Sequence, residues 1–129
     1  MKLARAYLAF LALVFLGLGV WFLLDPGAGA LVGLTPSEGT GRAELRAMYG
    51  GLDLGIGAFL AWGAARAAWA RPALALGALA LLGLACGRAV GIALDQPGGV
   101  MIRLIVSEVV TGGLCVAALL ATKEAEVAS

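Results

Sequence analysis

The chain has 129 residues, of which 62% are apolar and 13% charged, with twenty glycines, two cysteines and no histidine. An ordinary soluble domain is about half apolar and a quarter charged, and one this small leaves much of its surface in water. The composition therefore excludes an ordinary soluble enzyme. Without histidine or a close cysteine pair there is no zinc or haem site and no Cys–His or Ser–His catalytic arrangement to expect, so neither metal nor cofactor is anticipated. A formal net charge of +1 with no basic stripe argues against a nucleic-acid partner. The partner that this composition does imply is the lipid bilayer.

In chain order, residues 6–24 carry no charge and are about as long as a hydrocarbon crossing requires. Lys2 and Arg5 precede this tract and Asp25-Pro26-Gly27 ends it, which sets a first helix over residues 4–24. Small residues at 27–30 could mark a signal-peptide cleavage site. Signal h-regions are typically about 7–15 residues, however, and Trp21-Phe22 has the character of an interfacial anchor, so a retained helix is expected. Residues 25–42 are rich in Gly, Pro, Ser and Thr and read as a loop, with room for a short interfacial helix around 28–34. A second span follows over 43–65, with Glu44 near its N-terminus, where a carboxylate is favoured. Arg66, Trp69, Arg71 and Pro72 mark a tight connection. The third span, 72–94, opens with proline in its first turn, where a missing N–H costs nothing. Asp95-Gln96-Pro97-Gly98-Gly99 reads as a turn, the fourth span covers 100–122, and a charged tail begins at Lys123.

With the N-terminus inside, Lys2, Arg5, Arg66, Arg71 and Lys123 fall on the cytoplasmic side, as the positive-inside rule prefers. Both termini are then cytoplasmic. Short loops make successive helices antiparallel, so the expected fold is a single all-α domain, an integral membrane up-down four-helix bundle. Gly51 and Gly55 on the second span, and Gly83, Gly87 and Gly91 on the third, have the spacing that lets helix backbones approach. They are assigned to packing within the bundle ahead of a dimer seam. Cys86 and Cys115 would lie roughly 12 Å apart along the bilayer normal at 1.5 Å per residue, too far for a disulfide. Trp21, Trp62 and Trp69 are read as interfacial anchors.

Arg46, Asp53, Arg88 and Glu108 lie well inside the expected spans, where each charge costs about 2.5–3.5 kcal/mol on insertion scales. At the same rise per residue they lie roughly 5, 15, 9 and 12 Å below the outer end of their spans, so all share the outer half. Arg46, Tyr49, Gly50, Asp53 and Gly57 follow the three-and-four spacing that forms one helix stripe. Arg46, Tyr49, Asp53, Arg88 and Glu108 are therefore expected to form one buried polar network opening toward the outer face. Its two arginines could receive an anionic or lipid ligand. Its zero net charge favours mutual pairing as structural glue.

These residues carry a family resemblance as well. The stretch Glu44-Leu45-Arg46-Ala47-Met48-Tyr49-Gly50-Gly51, followed by Gly57, resembles the signature of the domain-of-unknown-function 4345 family, and Gly87-Arg88 and Glu108 resemble its later marks. The resemblance covers nearly the whole chain. It implies a small bacterial inner-membrane protein with four helices, and it implies no activity.

The residues thus point to a non-enzymatic membrane protein whose polar layer binds a ligand or holds the helices together. The alternative is a small oligomeric carrier or channel using that layer as its substrate or proton site. Four helices with none broken argue against a carrier of this size, which would need a homo-oligomer. A membrane enzyme using Tyr49 with Asp53 or Glu108 as acid and base is the remaining reading, and no nucleophile or redox group supports it.

Overall fold

The computed structural model describes residues 1–95 and 99–127, with side chains described as far as Thr122. The expected turn at 96–98 and the side chains of the charged tail lie outside the described residues. Every regular element among the described residues is helical: α1 (Lys2–Leu24), α2 (Thr40–Leu45), α3 (Leu52–Ala65), α4 (Ala67–Asp95) and α5 (Val100–Val127). A 3-10 helix spans Pro26–Val32 and a π turn spans Arg46–Gly51. There are thus five α-helices where four were expected. Lys2–Leu24, Ala67–Asp95 and Val100–Thr122 are long and apolar enough to cross a membrane.

The second expected span is divided. Its α3 portion has 14 residues, roughly 21 Å at 1.5 Å per residue. The π turn joins it to α2 without a break, because Leu45, Arg46, Gly51 and Leu52 all keep right-handed helical dihedrals. The rod from Thr40 to Ala65 is therefore continuous but widened at Arg46–Gly51, where the Leu52 N–H bonds the Ala47 carbonyl. Paired glycines at 50 and 51 lower the local preference for a regular helix, a common setting for such irregularities.

Several element boundaries have an identifiable cause. Asp25 stops α1 in an extended conformation, and its Oδ1 accepts from the Gly27 N–H at 2.8 Å, starting the 3-10 helix at Pro26. Gly33 ends that element at φ 75, a left-handed cap that favours glycine. Arg66 alone connects α3 to α4, extended at φ −119 and ψ 113. As a result α4 begins at Ala67, five residues before its expected start at 72, and Pro72 sits inside the helix instead of opening it.

One half of the molecule is tightly packed. On α1 the buried residues Ala4, Leu8, Leu11, Ala12 and Phe15 recur at three- and four-residue spacing. They join Leu60, Ala70, Ala73, Leu74, Ala78, Leu81 and Cys115 from the other helices in one core. Arginines tie the same end together. Arg5 Nε and Nη2 donate to the Ala64 and Ala65 carbonyls at 2.7 and 3.0 Å, satisfying acceptors at the C-terminus of α3. Arg71 Nη1 reaches the Leu119 carbonyl and Thr122 Oγ1, both at 3.1 Å. Arg66 lies 5.7 Å above the Trp62 ring.

The close helix–helix seam falls on different glycines from those expected. A methyl group on Gly19 would sit 2.9 Å from the Leu54 nitrogen, one on Gly57 3.0 Å from the Leu16 nitrogen, and one on Gly50 3.2 Å from the Leu23 nitrogen. These three bring α1 against the π turn and α3. A methyl on Gly55, Gly83, Gly87 or Gly91 would meet nothing within 4 Å among the described residues, and one on Gly51 would meet only its own helix's Arg46 carbonyl at 3.9 Å. Both cysteines are free, Cys86 exposed and Cys115 buried.

Substitution at the seam should therefore be costly and substitution at the open stripe should not. Gly57→Ala is expected to destabilise by about 1–3 kcal/mol through overpacking. Gly87→Ala should be neutral or add up to about 1 kcal/mol from helix propensity. Reversible unfolding in mixed detergent measures both, and a loss at Gly87 equal to that at Gly57 would contradict the seam.

Candidate functional site

The packed core occupies the half of the molecule containing the start of α1 and the end of α3. In the other half the helices part around a cleft of about 1020 Å³. That size matches the upper end of small-molecule sites. Its walls come from the second half of α1, the end of the 3-10 helix, the π turn, the start of α3, the second half of α4 and the first half of α5. They are largely aliphatic and aromatic, with Leu18, Phe22, Ile56 and Leu84 among them. Gly83 and Gly87 also line it, which explains why nothing faces them: the expected packing stripe on α4 borders empty space. Gly55, Gly51 and Gly91 are not part of its wall.

Three charged side chains line the cleft: Asp53, Arg88 and Glu108. Arg88 Nε donates to both Glu108 oxygens, at 2.8 and 3.1 Å, joining α4 to α5. The two side chains are only 15% and 8% exposed, so water competes weakly for this pair. This three-centre, charge-assisted contact is stronger than a neutral hydrogen bond, and Nη1 of the same guanidinium lies 4.0 Å from Met101 Sδ. Removing one partner would leave the other charge buried alone. Asp53, partly buried, makes no hydrogen bond or ion pair among the described residues. Ser107 also faces the cleft, its hydroxyl donating to the Leu104 carbonyl at 2.8 Å.

The five residues expected to form one network are thus distributed over three arrangements. Arg88 and Glu108 pair directly. Tyr49 and Asp53 line the cleft, with the Tyr49 ring 5.2 Å from that of Phe22. Arg46 is exposed and lies outside the cleft, its Nε donating at 3.0 Å to the Leu23 carbonyl in the last turn of α1. Tyr49 and Asp53 face the cleft, whereas Arg46 faces α1 together with Gly50 and Gly57 of the same stripe, which meet Leu23 and Leu16. The position it takes is still a favourable one, because the end of α1 offers unpaired carbonyls and a negative dipole end.

Two further features escaped the sequence reading. Tyr7 Oη donates to the Thr111 carbonyl at 2.7 Å, linking α1 to α5 beneath the cleft. A phenol inside the first apolar tract was the available signal. Met48 and Tyr49 also line a second, smaller pocket of about 240 Å³ beside Thr35, Pro36 and Glu44, and so form the wall it shares with the cleft. The described residues contain no cluster of acidic or cysteine side chains able to hold a metal ion.

This geometry defines an all-helical protein with membrane-length helices and an apolar cleft carrying a polar patch. The chain belongs to the family described as domain of unknown function (DUF4345), which matches residues 3–119. No curated protein and no solved structure matches the chain.

The ion pair and the Arg46 contact should separate in a mutational test. Arg88→Ala is expected to cost about 3–5 kcal/mol by leaving Glu108 buried without a partner, with most of that recovered in the Arg88→Met/Glu108→Leu double variant. Arg46→Ala, an exposed contact, should fall well short of that loss. A double-mutant cycle on unfolding free energies checks both, and additive losses at positions 88 and 108 would contradict a direct pair.

Proposed function

We propose that this is a non-enzymatic integral membrane protein that binds an amphiphilic, lipid-like ligand in the cleft. One observation carries the reading: a cleft large enough for a small amphiphile combines an aliphatic wall with a confined polar patch at Asp53, Tyr49 and the Arg88–Glu108 pair. Ligand sites commonly have this composition, apolar walls supplying affinity and a few polar groups setting orientation. The sequence expectation of an anion held by two arginines receives less support. Arg46 lies outside the cleft and Arg88 is already neutralised.

In this proposal the rod from Thr40 to Ala65 supplies a fourth crossing of a bacterial inner membrane, with both termini cytoplasmic and the cleft in the outer half. The distribution of Arg5, Arg66 and Arg71 around the packed end supports it. The carrier reading gains one point, since the polar helix is irregular beside the site. Yet the π turn keeps its backbone bonds inside the helix, unlike the unwound segments that line carrier sites. Binding is therefore the stronger reading.

Two measurements test the proposal. Gly87→Phe places a ring in the cleft without a steric conflict within 4 Å of the first added carbon. It should reduce amphiphile retention at least 10-fold in native mass spectrometry while leaving the unfolding midpoint within a few degrees. Unchanged retention would count against the cleft as a binding site. Reporter fusions at the two termini should both be active on the cytoplasmic side, whereas opposite sides would mean that the Thr40–Ala65 rod does not cross.

A further inference from the structure

The cleft contains an imbalance of charge that specifies its ligand further. We infer that the head group it selects is cationic, a protonated or quaternary amine on an alkyl tail, seated against Asp53. The inference rests on the binding reading above and adds the chemistry of the head group to it.

Pairing off the charges of the cleft wall leaves one of them over. Of its three charged side chains, Arg88 and Glu108 cancel each other, with Arg88 Nε shared between both carboxylate oxygens. Arg46, the remaining basic residue that the sequence assigns to this layer, donates to the Leu23 carbonyl outside the cleft. Asp53 is left as the one carboxylate of the wall with no donor or counter-charge among the described residues. A partly buried carboxylate in apolar surroundings is completed by a group that brings both positive charge and N–H donors, or by a quaternary ammonium through charge alone.

The neighbouring groups suit the same occupant. Tyr49, on the π turn that precedes the α3 helix of Asp53, packs at a tilt on Phe22 with ring centroids 5.2 Å apart, and both rings line the cleft. Aromatic faces beside a carboxylate are the usual surroundings of a bound ammonium. Ser107 donates its hydroxyl proton to the Leu104 carbonyl and so leaves oxygen lone pairs, not a donor, for a ligand. An anionic head group would meet an unpaired carboxylate and an arginine whose charge Glu108 balances. The open Gly83–Gly87 stretch of α4 leaves room for the tail along the opposite wall.

The test uses three probes with one tail: decylamine, decanol and decanoate. Each is titrated into the full chain in nanodiscs of zwitterionic lipid, with empty nanodiscs subtracted. The expected result is binding of decylamine at least 10-fold tighter than decanol, with decanoate weakest. Asp53→Asn should bring decylamine down to the decanol level while leaving decanol unchanged, and Asp53→Ser gives the same comparison if the asparagine variant does not fold. Decanol or decanoate binding as tightly as decylamine would overturn the head-group assignment and leave amphiphile binding standing. The same holds for a decylamine preference that survives both substitutions at 53. If no probe binds, or if Gly87→Phe changes the binding of none, the binding reading falls and this inference falls with it.

Discussion

The three-centre contact between Arg88 and Glu108 governs the character of the whole open half of the molecule. It ties α4 to α5 at the level where the other helices part from them, so it helps to keep the cleft wall in one geometry. It also removes two of the three charges facing the cleft from the electrostatic balance. Opposite charges in a low-dielectric setting hold each other much more strongly than at a wet surface. Asp53 is then the carboxylate of the wall with no partner among the described residues, while Glu108 balances one arginine and another faces α1.

The closed half is built by different means. Within lipid there is little hydrophobic force between helices, so association relies on close packing and on hydrogen bonds. Gly19, Gly50 and Gly57 supply close backbone approach along α1, while Ala70, Ala73 and Ala78 do comparable work in the core. Arg5 and Arg71 then bond carbonyls of helices other than their own. Arg46 does the same at the other end of α1, on the Leu23 carbonyl. The geometry of these basic residues ties helices together. Arg66 differs, since it stacks on Trp62 at the surface and leaves the carbonyls to its neighbours.

Much of this was legible in the sequence, and the boundary of legibility is physical. Of the four spans expected from long apolar tracts, three appear as membrane-length helices, because tract length and apolar composition depend on the sequence alone. The 3-10 helix at Pro26–Val32 falls where a short helix within the loop was anticipated. The Arg88–Glu108 pair was visible as opposite charges at similar depth on adjacent helices. The π turn was not visible, because a periodicity argument assumes the same rotation at every residue. The expected stripe divides in the structure, with Arg46, Gly50 and Gly57 meeting α1 and Tyr49 and Asp53 lining the cleft. Glycine spacing meets a related limit. Spacing identifies glycines that share a face but not what lies opposite that face, so Gly83 and Gly87 border the cleft and Gly19 and Gly57 make the seam.

The same local irregularity therefore links packing to chemistry. Gly50 presses on Leu23 and sits within the widened turn, so the contact that secures α1 and the departure from α-helical rotation fall on the same residues. Arg46 reaches the Leu23 carbonyl from the side of the rod that carries Gly50 and Gly57, and Tyr49 and Asp53 lie on the cleft wall. The uncompensated carboxylate is thus a consequence of how α1 and the second helical rod pack, and not only of which side chains the chain carries. π turns recur at functional sites, and here one directly precedes the helix whose first turn holds the acidic group of the cleft.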